Sequence, residues 1–285
     1  MSLKNRYDFV MLFDVENGNP NGDPDAGNNP RVDPETGYGF ITDVCLKRKI
    51  RNFVELYKEG EEGYNILIKP DRPLNDKFTE AYEKENLKVK EKGKNVDDVM
   101  KARTYMCKNY YDVRTFGAVM STGDNPCGIV RGPVQINFAR SISPVNIQEV
   151  TITRQARTTT DRQNSGETEI GKKSIIPYAL YKAEGYVSAA LANKITDLSE
   201  ADLELLWQAI INMFENDHSA ARGKMCMRKL YVFKHDSVLG NAPSHILFDK
   251  ITVKEKSDLP PRAFSDYDIV LDKDMPEGVS LKEMI

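Results

Sequence analysis

From Arg6 to Tyr57 the chain passes through three kinds of sequence in direct succession, and that order constrains its fold more than any other feature. Tyr7-Asp8-Phe9-Val10-Met11-Leu12-Phe13-Asp14-Val15 is β-branched and aromatic, without Gly or Pro, and predicts a buried strand. From Asn17 to Gly39 nearly every residue is Asn, Gly, Pro, Asp or another turn former, a composition that favours local side-chain to backbone bonds over a core. A helix follows, with Thr42 as N-cap and Asp43 in its first turn. Val44, Ile50, Phe53, Val54 and Tyr57 are expected to make its apolar stripe. Lys47, Arg48 and Arg51 recur three to four residues apart on the other face, so a strand, a polar loop and a cationic helix face converge.

That basic face has two readings: the solvated outside of an amphipathic helix, or an anion-binding surface. A Walker loop and a dinucleotide fingerprint are both excluded, because Gly18, Gly22, Gly27 and the later glycines fit neither spacing.

With 285 residues, 40% hydrophobic and 29% charged, the chain has ordinary globular composition and enough length to bury a core. The formal net charge of −3 says nothing for nucleic acid, but its placement does. Acidic residues dominate Asp14 to Glu35 and the stretch from Asp266 to Glu283. Arg222, Lys224, Arg228, Lys229 and Lys234 carry all the charge in their segment, and Arg131 to Lys173 is rich in Arg. The expectation is a positive groove on an acidic body.

Cys45, Cys107, Cys127 and Cys226 lack CxxC spacing and His companions, which argues against zinc and against a disulfide framework and for reduced thiols. His218, His235 and His245 have neither triad nor metal spacing. No apolar run approaches about 18 residues and no signal-peptide core is present, so the expectation is a cytoplasmic protein with no membrane partner, no cofactor and no metal.

Further along, Tyr64 to Lys69 reads as a short strand ended by Pro70 to Pro73, followed by two helical segments, Asp76 to Glu91 and Val96 to Tyr111, forming an insertion. Asp112 to Met120 is apolar and ends in a turn. Val130 to Ser141 alternates as a strand, with Val134, Ile136 and Phe138 set against Gln135, Asn137 and Arg140. From Ser143 to Lys173 hydrophobicity falls away around Arg154, Arg157 and Arg162; an exposed loop or a long hairpin clasping a polyanion are the alternatives. Ile175 to Ser188 resumes an extended pattern. Ser199 to Phe214 is the clearest helix, capped by Ser199 with Asp202 at its third position and Trp207 in the core. The turn Ser219-Ala220-Ala221-Arg222-Gly223 leads into a strand over Lys229 to Lys234, and is either a tight connection or a phosphate approach. Ile246 to Val253 reads as a last strand, and Asp258 to Ile285 as a peripheral acidic tail. The order predicts an α+β, ferredoxin-like domain with large insertions.

Phe13-Asp14-Val15-Glu16-Asn17-Gly18-Asn19-Pro20-Asn21-Gly22-Asp23-Pro24, with Thr42 to Arg51, Asp112 to Met120, Arg131-Gly132-Pro133-Val134-Gln135 and Ser219 to Gly223, together form an ordered set of motifs. In these the chain resembles the crRNA-binding backbone subunit of CRISPR Cascade complexes, most closely that of subtype I-C, from the first strand to about Val253.

The resemblance implies a hand-shaped protein: an RNA-recognition-like palm over 5–69, 116–142 and 176–257, helical fingers over 70–115, and a β-hairpin thumb over 143–175. It implies crRNA, the target DNA strand through the guide, neighbouring copies of the chain and other Cascade subunits as partners, in a helical filament of antiviral defense. Carried over by position, Lys47, Arg48 and Arg51 are expected to contact phosphate beside Asn17, Asn19 and Asn21. Arg131, Arg154, Arg157, Arg222 and Lys224 complete the expected RNA-binding set. Guides of varying sequence require phosphate contacts rather than readout of base edges. The competing reading is a metal-dependent endoribonuclease: related subunits of type III complexes cut RNA with an aspartate in the loop after the first strand, where this chain has Asp23, Asp25 and Asp33. The loop motif itself resembles the binding-only form.

Overall fold

The computed structural model describes residues 2–89, 95–154 and 169–285. It is a mixed α/β fold built on a large antiparallel sheet. Strand β1 (Tyr7–Gly18) leads into a two-residue hairpin, β2 (Gly22–Asp23) and β3 (Asn29–Pro30), then β4 (Tyr38–Ile41) and helix α1 (Asp43–Tyr57). Helices α2 (Leu74–Lys84), α3 (Val96–Asn109) and α4 (Tyr111–Phe116) precede a hairpin of β5 (Gly117–Met120) and β6 (Gly128–Arg131). Strands β7 (Val134–Ile136), β8 (Ala139–Pro144), β9 (Gln148–Arg154) and the long β10 (Glu169–Val187) follow, then helix α5 (Glu200–Asn212) and β11 (Lys224–His235). The chain finishes with β12 (Ile251–Glu255), β13 (Tyr267–Leu271) and β14 (Val279–Glu283). The main sheet has eight strands in the path β14-β11-β1-β10-β8-β4, with β7 and β9 also pairing with β10.

Strand β1 lies between β10 and β11 and is covered on both faces. Phe9, Met11, Phe13 and Val15 enter a core with Leu46, Ile50 and Val54 of α1 and Leu206, Trp207 and Ile210 of α5. Val10 and Leu12 enter a second core with Leu247, Phe248, Ile251 and Tyr267. Burial on both sides explains why β1 reads as a continuous apolar run rather than an alternating one. At Gly185, directly across from Phe9, an added Cβ would sit 2.1 Å from the Phe9 ring. The bare backbone there lets that ring meet Trp207 edge-on at 5.3 Å.

Local start signals operate as the sequence indicates. Thr42 accepts from the Cys45 N–H at the start of α1, and Ser199 and Asp202 form a reciprocal capping box at the start of α5. Trp207 is buried. The stripe on α1 differs from expectation: Leu46, Ile50 and Val54 are buried, whereas Val44 and Tyr57 are exposed at the two ends of the helix, outside the reach of the sheet.

Other expectations need correction. Tyr64 to Lys69 forms no strand and contributes only a bridge between Asn65 and Tyr110. The apolar segment 112–120, to which the sequence assigned no element, divides between α4 and β5. Val130 to Ser141 is broken into parts of β6, β7 and β8, and Phe138 lies between the last two, 52% exposed. The segment 246–253 splits between a short helix, Ser244–Phe248, and β12. The acidic stretch is no peripheral tail: β13 pairs with β12, and β14 pairs with β11 in the main sheet, with Val232 opposite Lys282. In β13, Tyr267, Ile269 and Leu271 pack inward while Asp268 and Val270 face out.

Candidate nucleic-acid interface

The end of β1, the N-terminus of α1 and the turn before β11 are tied together by backbone. An added Cβ at Gly18 would lie 1.9 Å from the Arg222 carbonyl oxygen, so only Gly lets the two backbone segments touch there. The Asn19 N–H donates to the Ala221 carbonyl at 2.8 Å. Asn21 Oδ1 accepts from both the N–H and the hydroxyl of Thr42 at 3.0 Å, joining the loop to the helix cap. Asn17 has a left-handed backbone, φ 51°, and an exposed side chain. One open groove results, lined by Asn21, Arg31, Thr42, Arg48, Lys49, Phe138 and Arg222 among others. Asn19, Lys172 and Lys173 line a neighbouring cleft at the base of the β9–β10 hairpin.

The predicted cations do not share one exposed face. Arg51 is buried, with Nε 2.8 Å from Asp112 Oδ2 and its guanidinium over the Phe116 ring, so it serves the fold and is removed from the solvent-facing set. Lys47 pairs with Asp43 at 2.8 Å and is mostly covered. Lys49, adjacent in sequence, is buried in an ion pair with Asp217. Of the two α1 cations lining the groove, Arg48 is the one not held by a carboxylate among the described residues: it spends one Nη1–H on the Ile68 carbonyl at 2.7 Å and keeps other donors. Arg222 reaches Asp217 at 3.1 Å, and its side chain stays 41% exposed.

The basic segment before and along β11 is neutralised more than its sequence suggests. Lys224 pairs with Glu16 at 3.3 Å, Arg228 with the buried Asp14 at 2.8 Å, and Lys229 with Glu283 at 2.6 Å. Tyr178 also donates to Asp14 at 2.9 Å, and burial together with that carboxylate pushes its phenol above the ordinary range. Arg131 is exposed on the β5–β6 hairpin, opposite Gly117. Arg154 ends β9 with its backbone opposite Glu169; its side chain and all of Arg157 lie outside the described residues.

In the acidic loop, Asp23 Oδ1 accepts from the Asp25 N–H at 3.2 Å, and its other oxygen lies 3.4 Å from Arg31. Asp33 accepts from the Glu35 N–H at 3.1 Å, and hydrogen bonds from Thr36 and Glu35 hold its carboxyl below the usual range. Both are turn caps, and Asp25 is exposed. Among the described residues no three His, Cys, Asp or Glu side chains gather as a metal cluster. The four cysteines are free thiols. His235 is buried, accepts from the Asn241 N–H through Nδ1 at 2.8 Å and therefore donates Nε2–H to Asp8 at 2.8 Å; His218 and His245 are exposed.

Sequence reasoning missed Arg31 and Phe138 as groove residues and Lys173 in the neighbouring cleft. Arg31 stands out only as a lone cation within an acidic loop, and Phe138 was hidden by the alternation that placed it inside.

Residues 5–272 match the family described as CRISPR-associated protein Cas7. The chain belongs to that family. A family relative from Haloferax volcanii, CRISPR-associated protein Cas7, is 28% identical over 232 residues, spanning 74% of this chain and 66% of the relative, a little under two thirds of that protein's length. A chain of a CRISPR RNA-guided surveillance complex, pre-nicking, is similar in structure, with a TM-score of 0.51 at 11% identity over 86% of each chain. At that identity the likeness is one of fold. Among the described residues no helix is long and apolar enough to cross a membrane.

Proposed function

We propose that this chain is an RNA-binding backbone subunit that polymerises along a CRISPR guide RNA in a type I-C Cascade surveillance complex in the cytoplasm, holding the guide for pairing with target DNA. The observation that carries the reading is the convergence of the Asn17–Asn21 loop, the α1 N-terminus and the Arg222 turn on one groove with Arg31, Arg48 and Arg222 along it. Cations set along a groove suit binding to a backbone of any sequence.

The strand order β11-β1-β10 flanked by β7 and β8, with α1 and α5 packed together on one face, supports a ferredoxin-like palm. The α2–α3 unit has its own core of Phe78, Tyr82, Ala102 and Met106, which suits fingers over 70–115, and the β9–β10 hairpin suits a thumb over 143–175. Asn17, Asn19, Arg48, Arg131, Arg222 and Lys224, with Lys47 after loss of its Asp43 pair, form the contact set on this reading. Arg154 and Arg157 of the thumb complete it. Asn21 acts through the helix cap it holds. Neighbouring copies of the chain and other Cascade subunits are the protein partners. The turn-capping roles of Asp23 and Asp33 favour binding over cutting.

Purification of the protein from cells expressing a CRISPR array tests this directly. The expected result is copurifying RNA of uniform length bound by several copies of the chain. A nucleic-acid-free monomer under low salt would overturn it.

A further inference from the structure

We propose that Phe138, braced by Phe40, is a stacking platform for a nucleobase of the single strand that occupies the groove; this rests on the RNA-binding reading above. The two rings are stacked with centroids 6.2 Å apart and planes 3° from parallel. Phe40 belongs to β4 and is half-buried, so it fixes the plane of its partner, while Phe138 is more than half exposed and forms part of the groove wall. Val44, 67% exposed, extends the same apolar rim at the first turn of α1.

An isolated exposed Phe needs no explanation, since much of any protein surface is apolar. Three further observations give this one a ligand. Its groove contains Arg48 and Arg222, which retain unspent donors and exposed surface. Arg31 Nε, in the same groove, is buried and lacks an acceptor among the described residues. Asn19 Oδ1, in the adjoining cleft, is buried and lacks a donor among them, and as an acceptor it suits a ribose hydroxyl and not a phosphate. The groove therefore presents a flat apolar ring beside unsatisfied donors for an anion. A polymer that alternates aromatic rings with phosphates meets both demands, whereas an acidic peptide supplies only the charge. A base laid on the outer face of Phe138 would continue an existing parallel stack, a mode that accepts every base because each has a π-face. The contact adds affinity without sequence preference, as a carrier of varying guides requires.

The test uses the full chain with two probes of equal length, a fluorescently labelled oligouridine and a ribose-phosphate strand without bases. Phe138→Ala is expected to bind oligouridine about tenfold more weakly than the parent and the abasic strand equally well. Phe138→Trp is expected to restore oligouridine affinity and to add an emission that oligouridine quenches and the abasic strand does not. Unchanged oligouridine affinity in Phe138→Ala, an equal loss on both strands, or an added emission in Phe138→Trp that ignores bases would each overturn the platform while leaving RNA binding intact. Failure of the parent protein to bind either strand would instead overturn the RNA-binding reading, and the platform with it.

Discussion

Arg51 donates its Nε–H to Asp112 Oδ2 at 2.8 Å, and the same carboxylate accepts the backbone N–H groups of Leu67 and Ile68 at 2.8 and 3.1 Å. One buried acid thus joins α1, α4 and the irregular segment that leads toward α2.

Removing one member of this pair leaves the other charge buried without a partner. Arg51→Ala is expected to lower stability by about 3–5 kcal/mol, and the protein that still folds should keep the parent's salt dependence of RNA binding. Urea denaturation and filter binding across salt concentrations measure the two effects. A stable variant with a reduced salt slope would return Arg51 to the phosphate-contacting set.

Arg48 and Arg222 behave oppositely on this structure, because each is partly exposed in the groove. Alanine at either position should leave the unfolding free energy within about 0.5 kcal/mol of the parent and flatten the salt slope by roughly one unit, to the same extent for unrelated RNA sequences. Sequence-dependent losses would contradict a phosphate role.

Asp202 carries the clearest pH signature. Burial alone would raise its carboxyl, but the hydrogen bond and charge of Arg114, 2.7 Å away, outweigh that and hold it below the ordinary range. A carboxyl depressed in the folded state contributes stability that is fully present above its unfolded value of about 3.9 and is lost as pH falls through the folded one. Asp202→Asn should therefore be less stable than the parent at neutral pH, with the gap closing below about pH 4. Thermal unfolding across the acid range reads this, and a gap independent of pH would rule the mechanism out.

The assembled complex, given Mg²⁺ or Mn²⁺ and an RNA complementary to its guide, is expected to bind without cutting. Asp23 and Asp33 spend oxygens on turn N–H groups, and two-metal chemistry needs carboxylates converging on ions about 4 Å apart. Single Ala substitutions at Asp23, Asp25 and Asp33 should alter folding or assembly at most. Regularly spaced cleavage of the bound RNA, lost in one of these variants, would place the protein among the ribonucleases.

Local chemistry is legible in the sequence. Thr42, the Ser199–Asp202 box and Trp207 each depend on neighbours within about one helical turn or on bulk alone, and each stands where its surroundings predict. The convergence of the loop and the α1 helix was legible through the ordered motifs, whereas the place of the Ser219–Gly223 turn beside them was not. Pairings across the chain were not. Arg51 is 61 residues from Asp112, and nothing near either one signals the other. Arg228 and Lys229 look free in sequence because Asp14 and Glu283 lie on strands that only the sheet makes adjacent. The β13–β14 segment was hidden for a related reason: strands with one face in water carry residues such as Asp268, Ser280 and Lys282 on it, and with the acids of the connecting loops the composition resembles a solvated tail.

The position of β1 sets the order in which the chain can be completed. Both of its sheet neighbours come from much later in the sequence, Tyr7 lying opposite Val187 on one side and Lys234 on the other. During synthesis β1 emerges before both of its ladder partners and stays unpaired until β10 and β11 have followed. Pairings so distant in sequence close slowly, and an unpaired apolar strand is a template for wrong partners in the meantime. Until those strands follow, the nascent chain carries its central strand in need of shielding, and a holding chaperone, or slow elongation past His235, should raise the yield of native protein more than any stabilising change on the finished surface.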